Sequence, residues 1–218
     1  MKKNIKEIKR IAIDEVLNPK FELTKQYMAN NKLIFNNNLP VIEDVILNEQ
    51  EKKALVYFPI FKENFYMVII IHLEDEIKTC FINTSAGNRV ELFVASEEFS
   101  LEELLKRIDI VPTNQWMKGE KVGCNGQFKH SGFIYAPINK KTGEVEDKLT
   151  ILVNELLPRK KMILNLLEIA DVEIQVTYYG YKDQMWGINL EKDLIKKISE
   201  LNLSLDIDLY AGGNDLGD

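Results

Sequence analysis

The residues whose side chains could best serve catalysis or ligand binding lie close together, between Trp116 and Phe133. This stretch contains Cys124, one of two cysteines, and His130, one of two histidines, together with four glycines. A catalytic Cys–His pair needs the thiolate within hydrogen-bond reach of the imidazole and a third group that orients the base. No neighbouring residue supplies that group, so we interpret Cys124 as a structural thiol and His130 as a surface histidine.

A zinc site or a nucleotide site is not expected either. Structural zinc takes about four Cys or His ligands, commonly in close pairs, and the chain offers only Cys80, Cys124, His72 and His130. A metal held by carboxylates stays open. The glycine-rich run GEKVGCNGQ lacks the Lys-Ser/Thr of a phosphate loop, and no G-x-G-x-x-G follows a strand. The sequence therefore predicts no cofactor.

Two carboxylates, Asp206 and Asp208, are two positions apart in the alternating run LSLDIDLY, and so share one face of a predicted strand. Such a pair could act as general acid and base. The simpler interpretation is a solvated face opposite Leu205, Ile207 and Leu209, and a charged binding face is the third.

Trp116 stands beside the loop segment MKGEK and has two interpretations. It could be a lid over the core or the exposed anchor of an interface. We favour the lid, because a loop that flanks a sheet needs an apolar plug.

The elements that position these residues alternate between strands and helices. Four apolar runs with short links predict an antiparallel meander, at residues 54–61, 65–73, 77–83 and 90–96. A helix at 99–108 follows, capped by Ser100 and Glu103. From residue 132 to 210 the order is strand, helix, strand, strand, helix, strand. We therefore predict an α+β fold, an antiparallel sheet with helices on one face, ferredoxin-like βαββαβ in the C-terminal part and preceded by the meander.

Residues 41–50, before the meander, are interpreted as a short helix. Residues 185–190 are interpreted as one of the strands between residues 132 and 210. Pro158 ends or kinks the helix that begins near residue 147. The predicted organisation is a helix and meander region at 1–89, an α+β domain at 90–210, which could be continuous with the meander, and a tail at 211–218.

Charge is shared unevenly along the chain. Residues 1–89 carry 13 basic and 12 acidic side chains, whereas residues 90–218 carry 15 basic and 22 acidic ones. An acidic domain repels phosphate backbones, so the sequence argues against nucleic-acid binding and would suit a basic protein partner. The longest apolar run, residues 65–73, is about half of what a membrane helix needs, and the N-terminus lacks the apolar core of a secretory signal. We expect no membrane association and a cytoplasmic protein.

Three segments resemble a known bacterial family. The runs EFSLEELLKRIDIVPTNQWMKGEK, LLPRKKMILNLL and ISELNLSLDIDLY are similar to the domain of unknown function 4279, over roughly residues 90–210. The positions that match its motifs are Pro112, Thr113, Lys118, Gly119, Glu120, Asp208 and Tyr210. The resemblance implies an α+β fold and no particular reaction. Proteins of this sort look like accessory or immunity-type proteins of bacteria.

Three functional hypotheses follow. The first is a non-enzymatic protein that binds another protein, including an immunity-type inhibitor, and it rests on the acidic half and on the lack of a catalytic set. The second is a small-molecule-binding regulatory module, since ferredoxin-like sheets often bind ligands between sheet and loop. The third is a hydrolase that uses carboxylates such as Asp206 or Asp208. The candidate interaction residues are Trp116, Lys118, Gly119, Glu120, Asp206, Asp208 and Tyr210.

Overall fold

The structure is a computed structural model, and it describes residues 5–74, 76–123 and 126–215. Cys124, interpreted above as a structural thiol, lies outside the described residues. The chain forms two compact units. The first contains the described residues of Met1–Gly87, Tyr178–Trp186 and Leu209–Asp218, and the second contains those of Asn88–Thr177 and Gly187–Asp208.

The first unit begins with two helices and continues with strands. These are α1 (Ile5–Leu17), α2 (Glu22–Asn30), β1 (Phe35–Asn36), β2 (Leu39–Pro40), β3 (Asp44–Asn48), β4 (Lys53–Pro59), β5 (Phe65–Leu73) and β6 (Ile77–Ser96), whose second half belongs to the second unit. Strands β3, β4, β5 and β6 pair antiparallel in chain order. This confirms an antiparallel meander, but the runs predicted as its third and fourth strands, 77–83 and 90–96, form the single strand β6.

The side chain of Glu15 joins α1 to α2. Its buried Oε1 accepts hydrogen bonds from Thr24 Oγ1 at 2.7 Å and from the backbone N–H groups of Lys20 and Phe21, both at 3.1 Å. Phe21 occupies the N-cap position of α2 and has no side-chain oxygen to offer the free amides there. Glu15 therefore replaces a local cap and fixes the angle between the two helices.

Strand β5 is buried on both faces. Ile69 and Ile71 belong to the main core, which also takes in Ile8 and Ala12 of α1. On the opposite face, Val68 packs in a smaller cluster with two tyrosines, Tyr57 and Tyr66. An apolar run such as FYMVIIIHL, in which His72 is the one polar residue, is typical of a strand in this position.

Two predictions for this region are wrong. Residues 44–48 form β3 instead of a helix, because they pair along β4 from Asp44 opposite Tyr57 to Asn48 opposite Lys53. The run TSAGNR does not turn, because β6 continues through it and Ala86 pairs with Phe65. Gly87 makes this possible, since a Cβ there would lie 1.8 Å from the carbonyl oxygen of Asn64.

The second unit contains most of the remaining elements. These are α3 (Leu101–Leu105), β7 (Asn114–Trp116), β8 (Lys121–Val122), β9 (Gly126–Gln127), β10 (Ser131–Tyr135), α4 (Val145–Leu156), α5 (Lys160–Leu167), β11 (Asp171–Tyr181), α6 (Lys192–Glu200) and β12 (Ser204–Gly212); β11 and β12 have their last residues in the first unit. Strand β6 has β11 beside it, β11 has β12 beside it, and β10 pairs antiparallel with both β6 and β7.

The α+β class with a mainly antiparallel sheet is confirmed, and so are two local signals. Ser100 and Glu103 form the predicted capping box of α3. Pro158 lies in a single 3-10 turn, Leu157–Arg159, that separates α4 from α5. The predicted tail begins inside β12, since that strand continues to Gly212, whose carbonyl oxygen accepts a hydrogen bond from Lys182 N–H at 2.9 Å.

The strand predicted at residues 185–190 is wrong. All six residues are described and none is in a strand, so the βαββαβ order loses one of its strands. Here backbone carbonyl groups that could pair in a β-sheet accept hydrogen bonds from side chains instead. Tyr178 OH donates to the carbonyl oxygen of Trp186 at 3.2 Å, and Trp186 Nε1 donates to the carbonyl oxygen of Thr84 at 3.1 Å.

Among the described residues, no helix is both long enough and apolar enough to cross a membrane.

Candidate interaction face

One side of the sheet in the second unit is covered and the other is open. In β6 the buried residues Val90, Leu92 and Val94 alternate with the less buried Glu91 and Phe93. In β11 the same alternation separates the buried Val172, Ile174 and Val176 from Glu173, Gln175 and Thr177. Buried residues of neighbouring strands face the same side, so their polar neighbours share the other side.

Strand β12 extends this arrangement. Leu205 lines a groove together with Ile195 and Ile198 of α6, so it faces the helices. Asp206 and Asp208 alternate with it, and so they face the opposite way and are exposed. We call the following residues the open face: Arg89, Glu91 and Phe93 of β6; Glu173, Gln175 and Thr177 of β11; and Asp206 and Asp208 of β12.

The open face is acidic. It carries four carboxylates and one cation, and within the part of the chain that the structure describes no ion pair engages Glu91, Glu173, Asp206 or Asp208. Gln175 Nε2 donates to Glu173 Oε1 at 2.8 Å. Burial raises the pKa of Glu91, and the positive charge of Arg89 opposes that rise. A half-buried carboxylate without a close partner is stabilised when a cation approaches it.

An aromatic cluster closes one end of this face. Trp116 is 6% exposed and stacks on Phe93, with ring centroids 5.6 Å apart, and on Phe128 at 5.4 Å. Its Nε1 donates to His130 Nδ1 at 3.1 Å. A Cβ at Gly132, which pairs with Trp116, would lie 2.6 Å from the indole. The indole therefore covers the backbone of β10 and does not stand free in solvent.

The Lys-Gly-Glu segment is a turn that holds this cluster in place. Lys118 Nζ donates to the carbonyl oxygen of Glu97 at 2.8 Å, and Lys118 N–H donates to Ser131 Oγ at 3.1 Å. Glu120 Oε2 accepts from Met117 N–H at 3.0 Å. Gly119 has a φ of +84°, a conformation that favours glycine. The turn therefore uses the polar groups of Lys118 to bind the residue after β6 and the first residue of β10, and Glu120 to bind its own backbone.

The predicted site residues thus fall into three places. Trp116, Lys118, Gly119 and Glu120 belong to the aromatic cluster and its turn, and Asp206 and Asp208 belong to the open face. Tyr210 lies in the first unit, where it stacks on Tyr179 with ring centroids 5.0 Å apart.

The sequence reasoning missed Glu91 and Glu173. Their signal was present, since both alternate with buried apolar residues in β6 and β11. What was missing was the knowledge that these two strands are neighbours.

It also missed Lys148, whose ammonium group is buried. The side chain donates to Asn88 Oδ1 at 2.7 Å, to the carbonyl oxygen of Asn88 at 3.1 Å and to that of Lys140 at 2.8 Å. Burial lowers its pKa from 10.5 to about 8. An ammonium group has three protons, and all of them are donated here, so Lys148 fastens α4 to β6.

Among the described residues, no group of three or more His, Cys, Asp or Glu side chains is arranged to hold a metal ion.

Comparison with known proteins gives one match. The family model of the domain of unknown function DUF4279 matches residues 85–212, more than half of the chain, which confirms the resemblance seen in the sequence. No curated protein and no solved structure matches the chain. The matched residues include the aromatic cluster and every residue of the open face. The chain belongs to the DUF4279 family.

Proposed function

We propose that this protein is a non-enzymatic binding protein whose open face takes a basic protein partner. One observation carries the proposal: four carboxylates against one cation lie on the less buried side of a sheet whose other side holds the buried residues of β6 and β11 and faces α6 at β12. The half of the chain that contains this face is also the acidic half.

Charge of one sign on one face has two effects on association. It attracts a partner of opposite sign over several ångströms, which raises the association rate and makes that rate fall with salt. It also disfavours acidic partners and nucleic acids. Each exposed ion pair contributes only about 0.2–1 kcal/mol, so affinity must also come from apolar contact area.

An immunity-type role is one form of this function. A protein that occupies the basic surface of a second protein blocks whatever that surface binds, and no catalytic group is needed. We expect this binding to take place in the cytoplasm.

The test is affinity capture from an extract of the source organism with three versions of the full chain. They are the wild type, Asp206→Lys/Asp208→Lys on the open face, and Glu168→Lys/Glu200→Lys as a matched control. Glu168 and Glu200 are exposed carboxylates at the ends of α5 and α6, so the control makes the same change in net charge away from the open face.

We expect the wild type and the control to retain the same basic protein. We expect the open-face variant to bind it about tenfold more weakly, which corresponds to about 1.4 kcal/mol. Raised salt should weaken the complex. A partner that is acidic, or one that both variants bind as tightly as the wild type does, would contradict the proposal.

A further inference from the structure

Strand β12 is an edge strand with one side unpaired. Among the described residues it pairs only with β11, and it is nine residues long, from Ser204 to Gly212. An unpaired edge presents a row of N–H and C=O groups to any extended chain, and proteins usually shorten, cover or charge such edges. The part that lies in the second unit, Ser204–Asp208, is neither covered by a described element nor interrupted by proline.

The two sides of this edge differ in chemistry. On the helix side, Leu205 and Leu203 line a groove of about 610 Å³ with Ile195 and Ile198 of α6. Ile195 is 51% exposed, so the groove has an apolar rim that α6 leaves uncovered. On the other side, Asp206 and Asp208 are exposed. An added strand would meet apolar side chains on one side and carboxylates on the other.

A second copy of the chain is a poor occupant. Residues directly opposite each other in an antiparallel pair point to the same face. If β12 paired with itself antiparallel about Ile207, Asp206 would lie opposite Asp208 of the other copy, and this would happen twice. Like charges directly opposite destabilise a pair. In that register the two carboxylates oppose self-association, and they favour a strand that carries cations at the matching positions.

We propose that a partner segment adds to Ser204–Asp208 as an extra β-strand in which Lys or Arg alternates with Val, Ile or Leu. The cations lie beside Asp206 and Asp208, the apolar side chains enter the groove beside α6, and main-chain hydrogen bonds join the strand to the edge. Strand addition of this kind takes affinity from the main chain and specificity from alternate side chains. The inference rests on the proposed function and specifies the part of the partner that is recognised.

The probe is a capped peptide of alternating lysine and valine, as long as Ser204–Asp208. Backbone hydrogen exchange of the full chain is measured with and without it, at low and at high salt. The same peptide is also made with every second backbone N–H methylated, in both phases. One phase places its methyl groups toward β12 and removes the donors that strand addition needs.

We expect the peptide to slow exchange at residues 204–208, with an effect that weakens with salt. One methylated phase should fail to do so. Asp206→Lys/Asp208→Lys should bind the peptide about tenfold more weakly, and Asp206→Asn/Asp208→Asn, which adds no charge, by a smaller factor. The Glu168→Lys/Glu200→Lys control should bind like the wild type.

Three outcomes overturn the inference. If the peptide binds but residues 204–208 exchange as before, or if both methylated phases bind equally well, the open face binds cations without adding a strand. In that case the proposed function stands. If exchange at residues 204–208 slows as protein concentration rises without peptide, a second copy occupies the edge. If neither the peptide nor a captured basic protein binds in a way that depends on Asp206 and Asp208, the proposed function fails as well.

Discussion

Two strands of this molecule differ in how many of their faces are buried. Strand β5, in the first unit, has apolar neighbours on both faces, and its sequence is apolar except for His72. Strand β11, in the second unit over most of its length, alternates strictly between buried apolar and less buried polar residues. The first pattern leaves no surface for a partner, whereas the second leaves a whole face of side chains in reach of one.

The difference shows where binding is possible. A strand buried on both faces contributes only stability, so nearly any polar substitution there costs free energy. A strand with one open face carries two independent sets of residues, one for the core and one for the surface. The core does not depend on the acidic residues of the open face, so these residues can serve binding without a loss of core packing.

The largest effect is expected where the open face is closed by aromatic residues. Trp116→Ala removes a buried indole that contacts Phe93 and Phe128, and we expect a loss of about 3–5 kcal/mol in the free energy of unfolding. Urea unfolding followed by circular dichroism measures it. Trp186→Ala is the control, since that indole is 50% exposed and makes one hydrogen bond, and it should cost less. Equal losses would mean that Trp116 contributes only as a surface residue does.

The next effect compares the two strands directly. Ile69→Ala in β5 and Ile174→Ala in β11 both create a buried cavity, and each should cost about 2–5 kcal/mol. Their neighbours should differ. Val68→Ala in β5 should also destabilise clearly, because Val68 is buried on the second face, whereas Gln175→Ala in β11 should stay within about 0.5 kcal/mol.

Urea unfolding of these four variants measures the contrast. If Gln175→Ala costs as much as Val68→Ala, the face of β11 that we describe as open is packed in the same way as β5. The comparison between the two strands would then be wrong.

Much of the fold could be predicted from local patterns. The apolar run of β5, the alternation of β11 and β12 and the capping box of α3 each depend on residues within one element. The failures came where a distant contact overrides a local preference. Gly87 allows β6 to pass close to Asn64, and Thr84 and Tyr178 engage Trp186 in place of a strand.

The same distinction applies to the candidate site. Asp206 and Asp208 could be found because their alternation lies within one strand. Glu91 and Glu173 could not be joined to them, because β6 and β11 are separated by a long stretch of chain and become neighbours only in the sheet. Non-local pairing leaves no periodic trace in a single sequence.

On the covered side, the buried ammonium group of Lys148 gives a pH test. Its folded-state pKa, about 8, lies below the unfolded value of 10.5. Between these values the unfolded chain holds a proton that the folded chain has released, so this group makes stability rise with pH through that window. Lys148→Met should remove that rise and cost about 1–3 kcal/mol at pH 7, since three oxygens lose this donor.

Urea unfolding of the wild type and of Lys148→Met at pH 7, 8, 9 and 10 measures the difference between their free energies of unfolding. Taking this difference cancels the titration of all other groups. A difference that does not change from pH 8 to pH 10 would show that the ammonium group is as well solvated in the folded state as in the unfolded chain.

The smallest effect is expected on the open side, at Glu91. Burial raises its folded-state pKa above the unfolded value of 4.5, so the folded chain keeps the proton to a higher pH than the unfolded chain does. Stability therefore falls as pH rises from 4.5 through the folded-state pKa. Glu91→Gln cannot titrate and should remove this fall, with a gain at pH 7 of about 0.5 kcal/mol or less after solvent screening. Glu200→Gln, an exposed carboxylate of α6, controls for the loss of one charge. If Glu91→Gln instead destabilises the protein at pH 7, the carboxylate already has a partner within the chain and is not available to a cation of a binding partner.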